Sequence, residues 1–347
     1  MAYTTIKKST DYFNTKLYSG TGSSLAITGV DFQPDWVWIK NRGASGNHVL
    51  FDAVRGGDNR IESNTTNAEA TSTASITSFD SDGFTLGNGS SRWNANSNTY
   101  ASWNWLGANG TSANTDGSIS STVSANTTSG FSIVSYTANN TSGATVGHGL
   151  GVAPSMVICK NRDSSSTWTT FHASLGATKY IFLNDTAGAG TSSGAWNNTA
   201  PSSSVFTLGN AGEQVNGSNQ IAYCFADVQG YSKFGSYVGN GNADGTFVYT
   251  GFKPAFVMRK YATGGSAGGE GWEMLDGTRS SFNVADKRLR ADNSNAEGTG
   301  ANYYVDFLSN GFKCRTADNA TNNSGATYIY MAFAEQPLVG DNPATAR

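Results

Sequence analysis

The chain has 347 residues, 14% of them charged, 12% aromatic and 42 of them glycine, with a formal net charge of −3. At about 150 residues per domain this length asks for two or three cores, and the aromatic content excludes a disordered chain. Abundant Gly, Ser, Thr and Asn disfavour helix, the absence of a Lys/Arg run excludes nucleic acid as a partner, and no window nears the roughly 18 apolar residues of a membrane helix.

Read in chain order, residues 1–17 form a polar amino-terminal arm. Its opening, Met1-Ala2-Tyr3-Thr4-Thr5-Ile6-Lys7-Lys8, has no apolar segment behind the charges, so neither a secretory leader nor an anchor is expected. A cytoplasmic, soluble product follows. From residue 18 a pattern begins that recurs twice more. Residues 18–106 make the first unit, 107–130 a Gly/Ser/Thr/Asn linker with a short strand at Ser118-Ile119-Ser120, 131–228 the second unit, 229–335 the third, and 336–347 a carboxy-terminal tail.

Three segments carry the repeat. They are Phe32-Gln33-Pro34-Asp35-Trp36-Val37-Trp38-Ile39-Lys40-Asn41-Arg42, then Val152-Ala153-Pro154-Ser155-Met156-Val157-Ile158-Cys159-Lys160-Asn161-Arg162, then Phe252-Lys253-Pro254-Ala255-Phe256-Val257-Met258-Arg259-Lys260. Half of the six prolines occupy one equivalent position. A tyrosine (Tyr18, Tyr136 or Tyr237) precedes each, and an aromatic-rich strand closes each unit at Tyr100–Trp105, Ile221–Ala226 and Tyr328–Ala334. The runs are short, rich in β-branched and aromatic residues, and bounded by turn formers. Proline lacks the N–H of a central ladder, so Pro34, Pro154 and Pro254 are expected at strand starts. The unbroken apolar run Trp36-Val37-Trp38-Ile39 predicts burial on both faces. Gly83, Gly311 and the pairs Asn88-Gly89, Asn216-Gly217 and Asn310-Gly311 are expected to take positive φ in hairpins. The reading is all-β: three tandem homologous β-sandwich units of jelly-roll or lectin-like type, in a pseudo-threefold arrangement that buries identical faces cyclically.

Chemistry is sparse. Cys159, Cys224 and Cys314 show neither disulfide nor zinc spacing and read as buried small hydrophobes. His48, His148 and His172 belong to no catalytic or metal motif. Asp52 with Glu69 and Asp276 with Glu297 recur at equivalent positions beside Arg55 and Arg279, which points to a shared structural role rather than to a hydrolytic carboxylate pair. No catalytic, cofactor-binding or metal residue is assigned. Trp93, Trp196 and Tyr303 lie in Ser/Asn/Gly-rich loops, where flat aromatics can stack on sugars; they are the ligand-contact candidates, with ordinary loop anchoring the favoured reading for each.

The opening residues, the block Gln33–Arg42, the phrase Tyr231-Ser232-Lys233-Phe234-Gly235-Ser236-Tyr237, the closing Tyr328–Glu335 and the terminal Ala344-Thr345-Ala346-Arg347 resemble a family of virion proteins from marine tailed bacteriophages. The resemblance spans essentially the whole chain. It implies a structural component of the virion, made in the host cytoplasm and assembled with other virion proteins in many copies or as a homo-oligomer. A tail-fibre-like or head-fibre adhesin touching a host surface glycan is the leading expectation. A capsid decoration or tail-hub component is the alternative, and a surface-polysaccharide hydrolase the third.

Overall fold

The computed structural model describes residues 4–73, 75–211, 214–265 and 270–337. Residues 1–3 of the arm and 338–347 of the tail, including the terminal stretch that carries part of the resemblance, lie outside the described residues.

Apolar residues that alternate sides along a strand force that strand to lie between two cores, and this organises the molecule. Three large antiparallel sheets share one strand order. In the first, Phe13–Ser19, Thr99–Trp105, Trp36–Asn41 and Val49–Asp52 lie side by side. In the second, the corresponding strands are Phe131–Thr137, Asn219–Phe225, Met156–Asn161 and Thr169–His172. In the third they are Ser232–Val238, Ala326–Ala334, Pro254–Gly264 and Glu273–Asp276. The second and third sheets continue through Lys179–Phe182 and Gly190–Thr191, and through Lys287–Arg290 and Gly298–Thr299. The stretch around Ala285–Arg290, which has some helical character in sequence, thus contributes a strand.

One face of each large sheet is covered by a small one. Val37, Ile39, Phe51 and Tyr100 pack with Ile27, Phe84 and Leu86 in the first unit; Val157, Cys159 and Cys224 pack with Val146 and Phe206 in the second; Val257, Leu275 and Tyr328 pack with Val248 and Phe312 in the third. The opposite faces meet in one shared core. Trp36, Trp38, Trp103 and Trp105 join Met156, Ile158, Tyr223 and Phe225, and Phe256, Met258, Met331 and Phe333. Expected burial on both faces of Trp36–Asn41 is what the structure contains, all six residues being buried.

Several details differ from expectation. The arm is not peripheral: Ile6 is fully buried in the shared core, and the strand Phe13–Ser19 starts inside it, with Phe13 stacked on Phe333 at 4.9 Å. The segment 107–130 is not a linker. It forms the strands Ser112–Asn114 and Ser121–Asn126, which extend the second sheet beyond Phe131–Thr137, while Ile119 makes only an isolated bridge to Val146. Polar Ser/Thr strands of this kind lack the aromatic signature that marks the others. Pro254 begins its strand, but Pro34 and Pro154 precede theirs by two residues. Gly83 and Gly217 take positive φ, whereas Gly89 and Gly311 do not; Gly311 is required because the carbonyl oxygen of Val248 lies 2.1 Å from where a Cβ would sit.

Candidate functional site

The boundaries between units hold most of the buried chemistry. Lys40, Lys160 and Lys260 occupy equivalent strand positions, and each sends its ammonium into the neighbouring unit's backbone. Lys40 donates to Ser294 O (3.3 Å), Lys160 to Thr66 O (3.1 Å), and Lys260 to Asp185 O (3.1 Å) and Thr186 O (2.7 Å). Burial pulls Lys40 and Lys260 down to about 8. Trp168 and Trp272, again equivalent, donate across the same boundaries to Glu62 O and Phe182 O at 3.0 and 2.9 Å. The first unit reaches the third, the second reaches the first and the third reaches the second, so the contacts close in a ring.

Two boundaries also carry a buried ion network. At one, Arg55 Nε bonds Asp52 at 2.5 Å and Nη1 bonds Glu69 at 2.9 Å, while Arg162 of the second unit forks onto Glu69 at 3.0 and 2.7 Å. Tyr223 donates to Asp52 at 2.7 Å. At the other, Arg279 bonds Asp276 (2.6 Å) and Glu297 (3.1 Å), Arg42 of the first unit forks onto Glu297 at 3.0 and 2.8 Å, and Trp103 donates to Asp276 at 3.1 Å. Burial raises the carboxyls of Glu69 and Glu297, but their arginine hydrogen bonds outweigh it and hold both below the ordinary range. All four carboxylates are thus committed to arginine.

At the third boundary the same positions hold His172, Leu175, Ala189 and Ala262. His172 Nε2 faces Tyr330 O at 3.1 Å and Nδ1 accepts from the Ser174 N–H at 3.2 Å, and burial lowers its pKa to about 4. Burial pushes Cys159 up to about 12, so its thiol is inert. Among the described residues no group of three or more His, Cys, Asp and Glu could hold a metal ion, and no helix is long and apolar enough to cross a membrane.

Trp93 and Trp196 are anchors rather than ligand contacts. Trp93 and Trp196 are 4% and 2% exposed and belong to the cores of the first and second units. Trp93 packs edge-on against Phe51, and Trp196 against Phe171. Neither indole can stack on a ligand; loop composition hid them because the small sheet opposite, not local sequence, decides their burial. Tyr303 is half-buried, with the Arg288 guanidinium 3.5 Å above its ring and donating to its hydroxyl at 2.7 Å. Sequence reading did not single out the aromatics that do face outward: Tyr249 at 61% exposed, Phe247 at 44% and Phe282 at 80%. In the strand Phe247–Tyr249 the alternation exposed, buried, exposed was the available signal, since period two puts residues 247 and 249 on the face away from Val248.

Tyr249 borders a groove of about 540 Å³ where the turn joining the second and third units meets the edge of the third. Asp227, Gln229, Ser232, Lys233 and Thr250 line it. Asp227 is fixed by the Phe234 N–H (2.9 Å), by Lys233 (3.4 Å) and by the Ser155 hydroxyl. An exposed phenol ring beside a held carboxylate, an ammonium and an amide offers both an apolar face and directional hydrogen bonds, the combination that a sugar-sized polar ligand needs.

No curated protein and no solved structure matches the chain. A family model described as a domain of unknown function, DUF7483, matches residues 8–337, a span that takes in all three large sheets and the shared core apart from Ile6. The chain therefore belongs to the DUF7483 family.

Proposed function

We propose that this protein is a virion structural component of a tailed bacteriophage, working without catalysis as a tail-fibre-like or head-fibre adhesin. The resemblance of the chain to marine phage virion proteins supports the assignment to a particle. The groove beside Tyr249 carries the adhesive part of the reading, because it pairs an exposed ring with fixed polar groups. Single contacts of this size are weak, and copies on one particle would multiply them by avidity. The reading assigns no hydrolytic step, since Asp52, Glu69, Asp276 and Glu297 all bind arginine.

A capsid decoration or tail-hub role is the second reading, and Phe282 and Phe247, displayed on the third unit, favour it as docking points for neighbouring virion proteins. Immunogold localisation on intact particles separates the two. Label at distal fibres, together with a Tyr249→Ala particle that adsorbs to host cells at least about tenfold less well, is the expected result, since about 1.4 kcal/mol per contact is tenfold. Label flat on the capsid or inside the hub, with normal adsorption of the variant, would sink the adhesive reading.

A further inference from the structure

A small pocket of about 110 Å³ opens on the first unit between Asn47, Arg60, Glu62, Asn67, Ala68 and Arg92. It holds two guanidinium groups and one carboxylate. Glu62 Oε1 forms ion pairs with Arg92 Nε at 3.0 Å and Arg60 Nε at 3.8 Å, while Oε2 accepts from Asn47 (2.8 Å) and Thr65 (3.4 Å). The carboxylate is used up, and one positive charge remains in excess.

The same strand position in the third unit shows how such an arginine is normally satisfied. Arg60 pairs with Ala70 across its two-residue ladder, as Arg288 pairs with Gly298. Arg288 donates to Glu273 at 2.8 Å and to the Tyr303 hydroxyl at 2.7 Å, with its guanidinium over that ring. In the first unit Val49 stands where Glu273 stands, as the first residue of the equivalent strand, and the ring beside the arginine comes from a different segment: Trp93 follows the strand Gly83–Leu86, whereas Tyr303 precedes Val305–Leu308. Arg60 keeps the aromatic platform, 5.9 Å from the Trp93 centroid, but loses both acceptors. Its Nε is buried without a hydrogen-bond partner. Burial and the nearby Arg92 both work against its charge, which Glu62 only partly offsets, and a partly buried guanidinium short of acceptors is costly.

We infer that this pocket binds a small oxyanion, a carboxylate, sulfate or phosphate group, held between Arg60 and Arg92 with the Asn47 and Asn67 amides at its rim. The volume suits it: a liquid water occupies about 30 Å³, so the space admits three or four waters or one such group. Planar guanidinium forks match oxyanion geometry. The inference stands whether or not the protein is an adhesin.

The test is calorimetric titration of the intact protein with sulfate, phosphate, acetate and glucuronate at ionic strength fixed with chloride. Saturable binding of the oxyanions above the chloride background is expected, weakened about tenfold or more in Arg92→Gln, the loss of one charge-assisted contact. Arg92 is 38% exposed, so this variant keeps the fold; Arg60→Gln, checked for a native circular dichroism spectrum, is the second. Glucuronate binding more tightly than acetate would identify an acidic sugar residue as the source, and equal affinities a free oxyanion. Oxyanions no better than chloride, or unchanged affinity in both variants, would overturn the inference.

Discussion

His172 shows how one side chain records its surroundings. Its Nδ1 accepts a backbone N–H and its Nε2 faces a carbonyl, so the buried ring is held neutral with the proton on Nε2. Protonating Nδ1 would set two donors against each other. The folded pKa of about 4 lies below the unfolded value near 6.5. Between those limits the unfolded chain binds more protons, so this group's stabilisation is complete above pH 6.5 and is lost as pH falls toward 4. Asp35, raised by burial to about 6, has the opposite sign: its folded form binds more protons, and its contribution is lost as pH rises through 6. Urea midpoints of wild type and His172→Asn, compared from pH 7 to 4, therefore isolate the histidine. Wild type is expected to lose about 3 kcal/mol more than the variant across that range, at 1.36 kcal/mol per pKa unit; parallel curves would show that His172 does not titrate in the fold.

At the scale of elements, the three boundaries form a natural comparison. Asp52, Arg55, Glu69 and Arg162 become His172, Leu175, Ala189 and Ala262, so the ionic network is either present whole or absent whole. Breaking a buried network by one member leaves its partners uncompensated, at a cost of about 3–5 kcal/mol, whereas replacing the full set by apolar groups is often neutral. Arg55→Leu alone should lower stability by that amount. The quadruple variant Asp52→His, Arg55→Leu, Glu69→Ala and Arg162→Ala should recover most of it in urea unfolding, and a loss that grows with each added substitution would refute the account. Much of this level is legible in sequence, because the Asp-x-x-Arg spacing recurs in the first and third units and the strand motifs alternate with period two. The arm and the strands Ser112–Asn114 and Ser121–Asn126 are not legible, since strands this rich in polar residues read as linker. For Trp93 and Trp196, composition shows only a loop in which an aromatic could anchor or meet a ligand, and contacts distant in sequence, to Phe51 and Phe171, make them anchors.

For the whole molecule, the shared core decides how stability is distributed. Each unit buries one face against its own small sheet and the other against its two neighbours, through Trp36 and Trp105, Met156 and Phe225, and Phe256 and Phe333. No unit can leave without exposing the tryptophans or phenylalanines of the others, so calorimetry should give a single transition whose van't Hoff and calorimetric enthalpies agree. Two or three resolved transitions would mean that the units are separable beads. The arm adds a last point. Ser9 donates its backbone N–H to Gln336 Oε1 at 3.3 Å, and Phe13 lies on Phe333, so the first and last described elements are neighbours. A ring closed in this way is indifferent to where its chain is cut. Linking the chain directly between the neighbourhoods of Ser9 and Gln336 and opening the surface turn at Asp227–Gly230 would renumber the units without moving them.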